Sequence, residues 1–362
     1  MFGGTALTHE AKRIARYVDA VYGESDQQRF VLGTCTPSVK KQNQLQLLDA
    51  NLSLLRTYDH DAPIDHFAMC PLAQQHDKIV TASISQQQES SFAVWKMQHL
   101  EDTSNGSSSD NASLELLNRV TCPTRVIRSI WNPTEETNGA VLATLNTSSL
   151  STWTLVDGAG KEASKFTLVG DGKQLSAIAW DPHHRQQISV TVDESIQTWD
   201  IRSNKVAYKI DKAHLECARD IDYNPNKPYY IASGGNDGKM KFWDVRKSSH
   251  AILSIQSHSH WAWCVKYNRF HDQLVLSSGS DSVVNLWRIS SISSAPILEM
   301  DEGGESGIDI GDAKIKSFEE HEDSVYSVAW GSVDSWVFVS VSYDGRVVLN
   351  HVPSTEKYRI LL

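Results

Sequence analysis

Short segments with alternating hydrophobic and polar residues recur along the chain, and five of them end at a tryptophan. Successive tryptophans are 58, 46, 44 and 44 residues apart, and they are Trp95, Trp153, Trp199, Trp243 and Trp287. Leu48 lies 47 residues before the first of them, and Asn350 lies 63 residues after the last. Alternation of this kind predicts half-buried β-strands, so the pattern predicts seven equivalent strands.

A second marker recurs in step with the first. An aromatic residue ends another short apolar segment 19 or 20 residues before the strand marker, and these residues are Trp180, Tyr223, Tyr267 and Trp330. Trp131 marks a similar segment before Trp153. Repetition at a fixed period indicates a fold built from similar units, and two markers predict at least two strands in each unit.

An aspartate and a serine form a third marker in four of the units. Each aspartate lies six residues before the strand marker and each serine lies four residues before its aspartate; the pairs are Ser189 and Asp193, Ser233 and Asp237, Ser277 and Asp281, and Ser340 and Asp344. Two of these aspartates precede a glycine, Gly238 and Gly345. Because Asp-Gly favours tight hairpin turns, the marker predicts a β-hairpin with the serine on its first strand.

Together the markers predict an all-β single domain, a seven-bladed β-propeller of the WD-repeat type. A period of about 44 residues, four short strands per unit and a Trp-Asp dipeptide are typical of that fold, and the dipeptide begins at Trp199 and at Trp243. The ring needs one closing strand, which either the N-terminal segment 1–24 or the tail 358–362 could provide. The predicted blades are 25–60, 61–120, 121–170, 171–212, 213–256, 257–318 and 319–362, with loop insertions at 99–113 and 300–313.

The repeats resemble the WD-repeat family, in which a histidine, a serine or threonine, an aspartate and the tryptophan form a buried hydrogen-bond network in each blade. In one blade either His258 or His260 fits the histidine position, and we assign His260. The networks that the resemblance implies are His214, Ser233, Asp237 and Trp243; His260, Ser277, Asp281 and Trp287; His321, Ser340 and Asp344, with Asn350 replacing tryptophan; and Ser189, Asp193 and Trp199. Residues 48–95 and 131–153 lack a clean set of this kind.

Composition and charge exclude several classes of function. The 362 residues include 44 acidic and 34 basic side chains, the net charge is -10, and no Lys/Arg cluster stands out. Nucleic-acid binding depends on clustered positive charge, so we predict no nucleic-acid partner. No run of 18 apolar residues occurs, and we predict no direct membrane insertion. The five cysteines lie far apart without zinc-site spacing, and we predict no metal and no cofactor.

Histidine, serine and aspartate recur together, which invites comparison with a hydrolase. A nucleophilic site needs one serine, one base and one orienting group at a single accessible place, whereas here the trio repeats at fixed offsets. Repetition favours a scaffold in which the polar groups satisfy each other. We therefore predict no catalytic residue, no small-molecule substrate and no enzymatic activity.

A protein-binding rim is predicted where two inner strands begin. Trp261 and Trp263 precede or begin one strand, and His321, Glu322 and Asp323 stand at the matching place in the next unit. Tryptophan is enriched in binding hot spots, and a charge run beside it could complete a docking surface. We predict that these five residues contact a partner protein.

Longer segments show a narrower resemblance. The segments are RFVLGT at 29–34, HLECARDIDYNPNKPYYIASGGNDGKMKFWD at 214–244 and SYDGRVVLNHVPSTEKYRILL at 342–362. They resemble the EARP and GARP complex-interacting protein family. The resemblance implies a non-catalytic scaffold that binds these endosomal and Golgi tethering complexes and supports endosomal recycling, retrograde transport and dense-core vesicle cargo sorting. It implies a cytoplasmic protein, peripheral at endosomes and the trans-Golgi network.

A second motif leaves a different function open. Trp-Asp-x-Arg occurs at 199–202 and at 243–246, ending at Arg202 and Arg246. It matches the box found in substrate receptors of cullin–RING ubiquitin ligases. The structural alternative is an arginine at the end of a strand that pairs with a neighbouring aspartate.

Overall fold

Seven four-stranded antiparallel sheets account for the strands in a computed structural model of the chain. The structure describes residues 6–24, 26–37, 42–85, 87–98, 113–134, 142–156, 159–167, 173–294 and 311–361. The predicted insertions at 99–113 and 300–313 lie outside these residues except for Ser113 and residues 311–313. In the described ranges there are 28 strands and one α-helix, besides two 3-10 turns at Ala73–Gln75 and Val245–Lys247.

The elements have the following bounds. They are β1 (Leu7–Glu10), β2 (Ala15–Ala20), β3 (Phe30–Thr34), β4 (Asn43–Leu48), β5 (Leu54–His60), β6 (Ile64–Met69), β7 (Lys78–Ile84), β8 (Ser90–Met97), β9 (Leu114–Cys122), β10 (Val126–Trp131), β11 (Leu142–Asn146), β12 (Ser149–Val156), β13 (Ala159–Thr167), β14 (Leu175–Trp180), β15 (Gln187–Val192), β16 (Ser195–Asp200), β17 (Lys205–Ile210), β18 (Ala218–Tyr223), β19 (Tyr230–Gly235), β20 (Lys239–Asp244), β21 (Leu253–Gln256), β22 (Ala262–Tyr267), β23 (Leu274–Gly279), β24 (Val284–Arg288), β25 (Ala313–Phe318), β26 (Val325–Trp330), β27 (Val337–Ser342), β28 (Arg346–His351) and α1 (Ser354–Leu361).

The sheets form a closed ring, which confirms the seven-bladed propeller. Blades 1 to 6 each consist of four consecutive strands, from β2–β5 to β22–β25, and blade 7 consists of β26, β27, β28 and β1. The first strand of each blade contacts the first strands of both neighbouring blades, and β2 contacts β26. These seven inner strands, β2, β6, β10, β14, β18, β22 and β26, therefore surround a central channel.

The N-terminal strand closes the ring. β1 pairs with β28 from Leu7 opposite Leu349 to Glu10 opposite Arg346, so the exposed edge of the last blade is covered. The joint is also apolar, because Val18 and Leu32 of blade 1 share one buried cluster with Val339 of blade 7. The C-terminal tail does not close the ring, since it forms the helix α1.

The predicted start of blade 1 at residue 25 is wrong. The inner strand β2 spans Ala15–Ala20 and so lies inside the segment 1–24. The other inner strands end at an aromatic residue or at Met69, whereas β2 ends at Ala20. Without a large side chain at this position, the repeat marker is missing and the strand was not recognised.

Side chains lining the channel hydrogen-bond to the backbone of the next blade. At the third position of the inner strands, His66 Nδ1 accepts from the Ser129 N–H at 3.4 Å and Asp220 Oδ2 accepts from the Val265 N–H at 3.1 Å. Burial lowers the pKa of His66 well below its ordinary value, so the ring is neutral and can accept. These bonds tie neighbouring blades together at the centre of the ring.

Charged side chains also pair at the channel between blades 3 and 5, which are not neighbours. Arg128 Nη1 of blade 3 lies 2.8 Å from Asp220 Oδ1 of blade 5, and Lys266 Nζ of blade 6 lies 3.2 Å from Asp220 Oδ2. Although burial opposes ionisation of Asp220, Lys266 and Arg128 lower the pKa of its carboxyl. The buried charges are thus paired, as burial requires.

The C-terminal helix is anchored to blade 6 by a buried ion pair. Arg288 Nη1 at the end of β24 donates to both carboxylate oxygens of Glu356, at 3.1 and 2.9 Å. Both side chains are nearly inaccessible, at 3% and 4% exposure. Ile360 of the helix packs against the buried cluster between blades 6 and 7.

Replacing Glu356 should destabilise the propeller. Glu356→Ala leaves the Arg288 guanidinium buried with less compensating charge, and we expect the free energy of unfolding to fall by about 3 kcal/mol. Urea unfolding at neutral pH measures the change, and the exposed Glu319→Ala is the control that should stay near the wild-type value. Equal values for the two variants would contradict the anchoring role.

Candidate protein-binding rim

The upper end of the ring is the end at which the inner strands begin. Trp263 is the second residue of β22, and Trp261 immediately precedes that strand. Glu322 and Asp323 lie just before β26, the next inner strand. These four predicted rim residues therefore lie at the upper end, on blades 6 and 7.

Four aromatic side chains form a continuous row there, called the aromatic ladder below. Ring centroids are 5.5 Å apart between Trp261 and Trp263, 5.1 Å between Trp263 and Tyr326, and 6.1 Å between Tyr326 and Tyr343. Tyr343 is 37% exposed, while the other three are half-buried. Tyr326 and Tyr343 were not predicted; Tyr326 is the second residue of β26, as Trp263 is of β22, and Tyr343 immediately precedes Asp344.

An arginine lies at each end of the aromatic ladder. Arg219 Cζ from blade 5 is 5.1 Å from the ring centroid of Trp261 and 5.0 Å from that of Trp263. Arg16 Cζ from blade 1 is 5.3 Å from Tyr326 and 5.8 Å from Tyr343. The row thus spans blades 5, 6, 7 and 1, which the closed ring brings together.

The predicted acidic residues flank the row, but His321 does not belong to the surface. The Glu322 side chain is 72% exposed and lies 2.8 Å from Arg346 Nη2. Asp323 Oδ1 accepts from the Ser324 N–H at 2.6 Å. His321 is only 6% exposed, so the prediction that it contacts a partner is wrong. Its ring lies inside blade 7, where it hydrogen-bonds to Ser340.

Blade 5 holds a directed chain of four hydrogen-bonding groups. Trp243 Nε1–H donates to Ser233 Oγ at 3.0 Å, and Ser233 Oγ lies 2.8 Å from His214 Nε2. His214 Nδ1 lies 2.8 Å from Asp237 Oδ1. Because a carboxylate only accepts, the neutral histidine donates to Asp237 and accepts from the serine. Every group in the chain is satisfied, and the fully buried serine is closed to a substrate.

Blade 6 repeats this chain with a different histidine from the one assigned. His258 Nε2 lies 2.9 Å from Ser277 Oγ and His258 Nδ1 lies 2.9 Å from Asp281 Oδ1. Trp287 Nε1 donates to Ser277 at 2.9 Å. His260 is exposed and hydrogen-bonds to Ser280 instead. The assignment of His260 was wrong: in blades 5, 6 and 7 the histidine that reaches the serine stands 19 positions before it, and in blade 6 that residue is His258.

Blades 7 and 4 contain only parts of this chain of hydrogen bonds. In blade 7, His321 Nε2 lies 2.8 Å from Ser340 Oγ, but His321 Nδ1 and Asp344 Oδ2 are 3.6 Å apart. Asn350 Nδ2 has no hydrogen-bond partner among the described residues, so it does not replace the indole N–H.

Blade 4 does not form the predicted set of Ser189, Asp193 and Trp199. Trp199 Nε1 has no hydrogen-bond partner within the described ranges. Ser189 Oγ lies 2.6 Å from Thr198 Oγ1 and 2.5 Å from the Tyr223 hydroxyl of blade 5. Asp193 accepts instead from the Gln174 N–H at 2.7 Å. The tyrosine hydroxyl takes the place of the indole as the serine's partner.

Blades 2 and 3 contain related hydrogen bonds that were not predicted. Trp95 Nε1 donates to Thr81 Oγ1 at 2.9 Å, and His60 Nε2 lies 3.1 Å from the same oxygen. Trp153 Nε1 donates to Thr144 Oγ1 at 2.9 Å. Threonine replaces serine in both blades, so these blades lack the serine marker from which the network was predicted elsewhere.

The lower end carries the Trp-Asp-x-Arg motif. Arg246 donates to both oxygens of Asp244, at 2.9 and 2.7 Å, and its guanidinium lies 4.7 Å from the Tyr229 ring centroid. This pairing is the structural alternative that the sequence offered for the motif. Arg246 is engaged within its own blade.

The described residues support neither a metal site nor a membrane-spanning helix. No group of three or more His, Cys, Asp or Glu side chains there is arranged to hold a metal ion. The described helix is too short and too polar to cross a membrane.

The ring of sheets and the repeated network define a WD-repeat β-propeller. Residues 313–349 match the WD domain, G-beta repeat. Residues 3–287 match the EIPR1 beta-propeller model, and the chain belongs to that family.

Relatives from animals and from a plant match the chain over almost its full length. The chain is 38% identical to the EARP-interacting protein homolog of Danio rerio and 36% identical to the EARP and GARP complex-interacting protein 1 of Homo sapiens, with 96% of each chain covered in both cases. It is 30% identical to the WD repeat-containing protein DWA2 of Arabidopsis thaliana, with 97% of each chain covered.

Acid should weaken the hydrogen-bond chain of blade 5. Burial lowers the pKa of His214 below its ordinary value of 6.5, so the unfolded chain binds a proton that the folded chain excludes. Its contribution to stability is complete above that pH and is lost as the pH falls. Although burial opposes ionisation of Asp237, its hydrogen bond with His214 lowers the pKa of the carboxyl to about 2, so this group acts only in stronger acid.

Urea unfolding of the wild type and of His214→Gln, at mildly alkaline and mildly acidic pH, measures this effect. We expect the variant to be less stable at the higher pH and to lose less stability than the wild type on acidification. The same loss in both proteins would mean that other groups control the acid sensitivity.

Proposed function

We propose that this chain is a non-catalytic scaffold that binds the EARP and GARP tethering complexes through the upper rim of its propeller. The names of its relatives support these partners. The observation that supports the rim is the aromatic ladder, because half-exposed tryptophan and tyrosine rings are the side chains that dominate binding hot spots.

In this proposal the protein acts in the cytoplasm at the surface of endosomes and the trans-Golgi network. It supports endosomal recycling, retrograde transport and dense-core vesicle cargo sorting by holding a tethering complex at its site of action. The buried serines of the repeated network serve only the stability of the blades. No observation on the engaged Arg246 favours the ubiquitin-ligase alternative.

Changing the rim should weaken capture of the tethering complexes. We expect the combined variant Trp263→Ala, Tyr326→Ala to capture about tenfold less EARP and GARP from cell lysate than the wild type, because it removes the two central rings of the aromatic ladder. Quantitative immunoblotting of the tether subunits measures the capture.

Arg202→Glu is the matched control, since Arg202 is an exposed residue at the lower end of blade 4. It should capture both complexes as the wild type does. Thermal unfolding of all three proteins verifies that the rim variant is folded. Undiminished capture by a folded rim variant would place the interface elsewhere.

A further inference from the structure

The two arginines of the aromatic ladder have no carboxylate partner among the described residues. Arg219 Nε donates to the side-chain oxygen of Asn236 at 2.6 Å, and this acceptor is neutral. Arg16 Nε has no hydrogen-bond partner in the described part of the chain. Aromatic faces hold both guanidinium groups by cation–π contact, so their positive charges are not neutralised by an adjacent carboxylate.

Other arginines of this propeller are bound differently. Seven of them have a carboxylate oxygen at 2.6 to 3.0 Å, and they are Arg119, Arg125, Arg128, Arg246, Arg288, Arg346 and Arg359. The ladder differs from these seven sites because it holds two arginines against a row of four aromatic rings with no carboxylate of the described residues between them.

The acidic side chains beside the ladder are already engaged. Glu322 pairs with Arg346 at 2.8 Å, and Asp65 pairs with Arg125 at 3.0 Å. Asp323 accepts a backbone N–H within its own loop. These carboxylates do not reach Arg16 or Arg219 as hydrogen-bonding partners, and the two cations remain available to a carboxylate from another molecule.

The seven inner strands explain how such distant residues form one surface. Arg16, Arg219, Trp263 and Tyr326 all occupy the second position of their inner strands. Equivalent positions lie at the same height around the channel, so the four side chains form an arc at its upper mouth. The arc ends at a cation on each side and has apolar rings between them.

We propose that this arc binds a short acidic segment of a partner protein. Carboxylates of the segment pair with Arg16 and Arg219, and an aromatic or aliphatic side chain between them packs on Trp263 and Tyr326. A guanidinium group can hold a carboxylate through two parallel hydrogen bonds, and the rings supply apolar area in the centre of the contact. The proposal deepens the proposed function, because it states the chemistry that the rim recognises.

The charge of the surroundings favours a short peptide over a nucleic acid. A nucleic acid would present many phosphates, whereas the arc has two cations and the chain has a net charge of -10. Glu322 and Asp323 would repel a long polyanion at the blade 7 side. A segment with a few carboxylates on either side of an apolar residue fits both the cations and the acidic border.

Selection from a random peptide library displayed on phage tests the proposal with the full chain. We expect the enriched peptides to contain acidic residues on both sides of an aromatic or aliphatic residue. A synthetic peptide of the enriched sequence should bind about tenfold more weakly to Arg16→Gln than to the wild type, and more weakly still to Arg16→Gln with Arg219→Gln. Its affinity for the wild type should fall with added salt.

Arg202→Gln at the lower end is the control and should bind the peptide as the wild type does. Thermal unfolding shows that each variant is folded, and Arg219→Lys, which keeps the charge but not the planar group, should bind with intermediate affinity. The proposal is overturned if the selection enriches no peptide, enriches peptides without acidic residues, or yields peptides that bind the double variant equally well.

Capture of purified EARP and GARP distinguishes this proposal from the proposed function. If acidic peptides bind the arc but neither complex is captured, the proposed tether partners are wrong and the acidic-segment proposal stands. If the complexes are captured equally by the wild type and by Arg16→Gln with Arg219→Gln, and acidic peptides do not compete, the acidic-segment proposal is wrong and the proposed function stands.

Discussion

Every surface of this molecule depends on the closure of a ring of sheets. A β-sheet has two edges, and an uncovered edge exposes unpaired backbone groups to other chains. Here the N-terminal segment provides the fourth strand of the last blade, with Leu7 opposite Leu349. The same joint brings β2 against β26, and this contact places Arg16 beside Tyr326. Closure therefore both protects the fold and completes the candidate rim.

The interior of the ring is held by polar groups with defined partners. Chains of hydrogen bonds that run from a tryptophan to an aspartate stabilise the hairpins of blades 5 and 6. Hydrogen bonds from channel side chains to the next blade, such as that of Asp220 with the Val265 N–H, join neighbouring sheets. The cost of burying these groups is offset because nearly every donor and acceptor in them is satisfied.

The repeat markers predicted the fold well where they are large side chains at regular spacing. Blades 4 to 7 were located from aromatic residues, and their polar positions recur at equal spacing. Blade 1 was placed too late because Leu32, Leu48 and Ala20 stand where other blades carry polar or aromatic residues. The spacing of 19 residues between His214 and Ser233 would have selected His258 over His260.

The rim was predicted only in part, for a geometric reason. Trp261 and Trp263 are visible in the sequence as aromatic residues at a repeat position. Arg16 and Arg219 come from blades 1 and 5, on either side of the aromatic ladder, and their convergence requires the inner strands to be aligned at equal height. One-dimensional spacing does not contain that information.

The closing strand also has a consequence for synthesis of the protein on the ribosome. β1 emerges first, yet its partner β28 begins at Arg346, more than three hundred residues later. At a translation rate of about 5–20 residues per second, β1 is synthesised about 20–70 s before its partner strand. During that interval the nascent chain carries an unpaired strand, and the propeller becomes a ring only after β28 has left the ribosome.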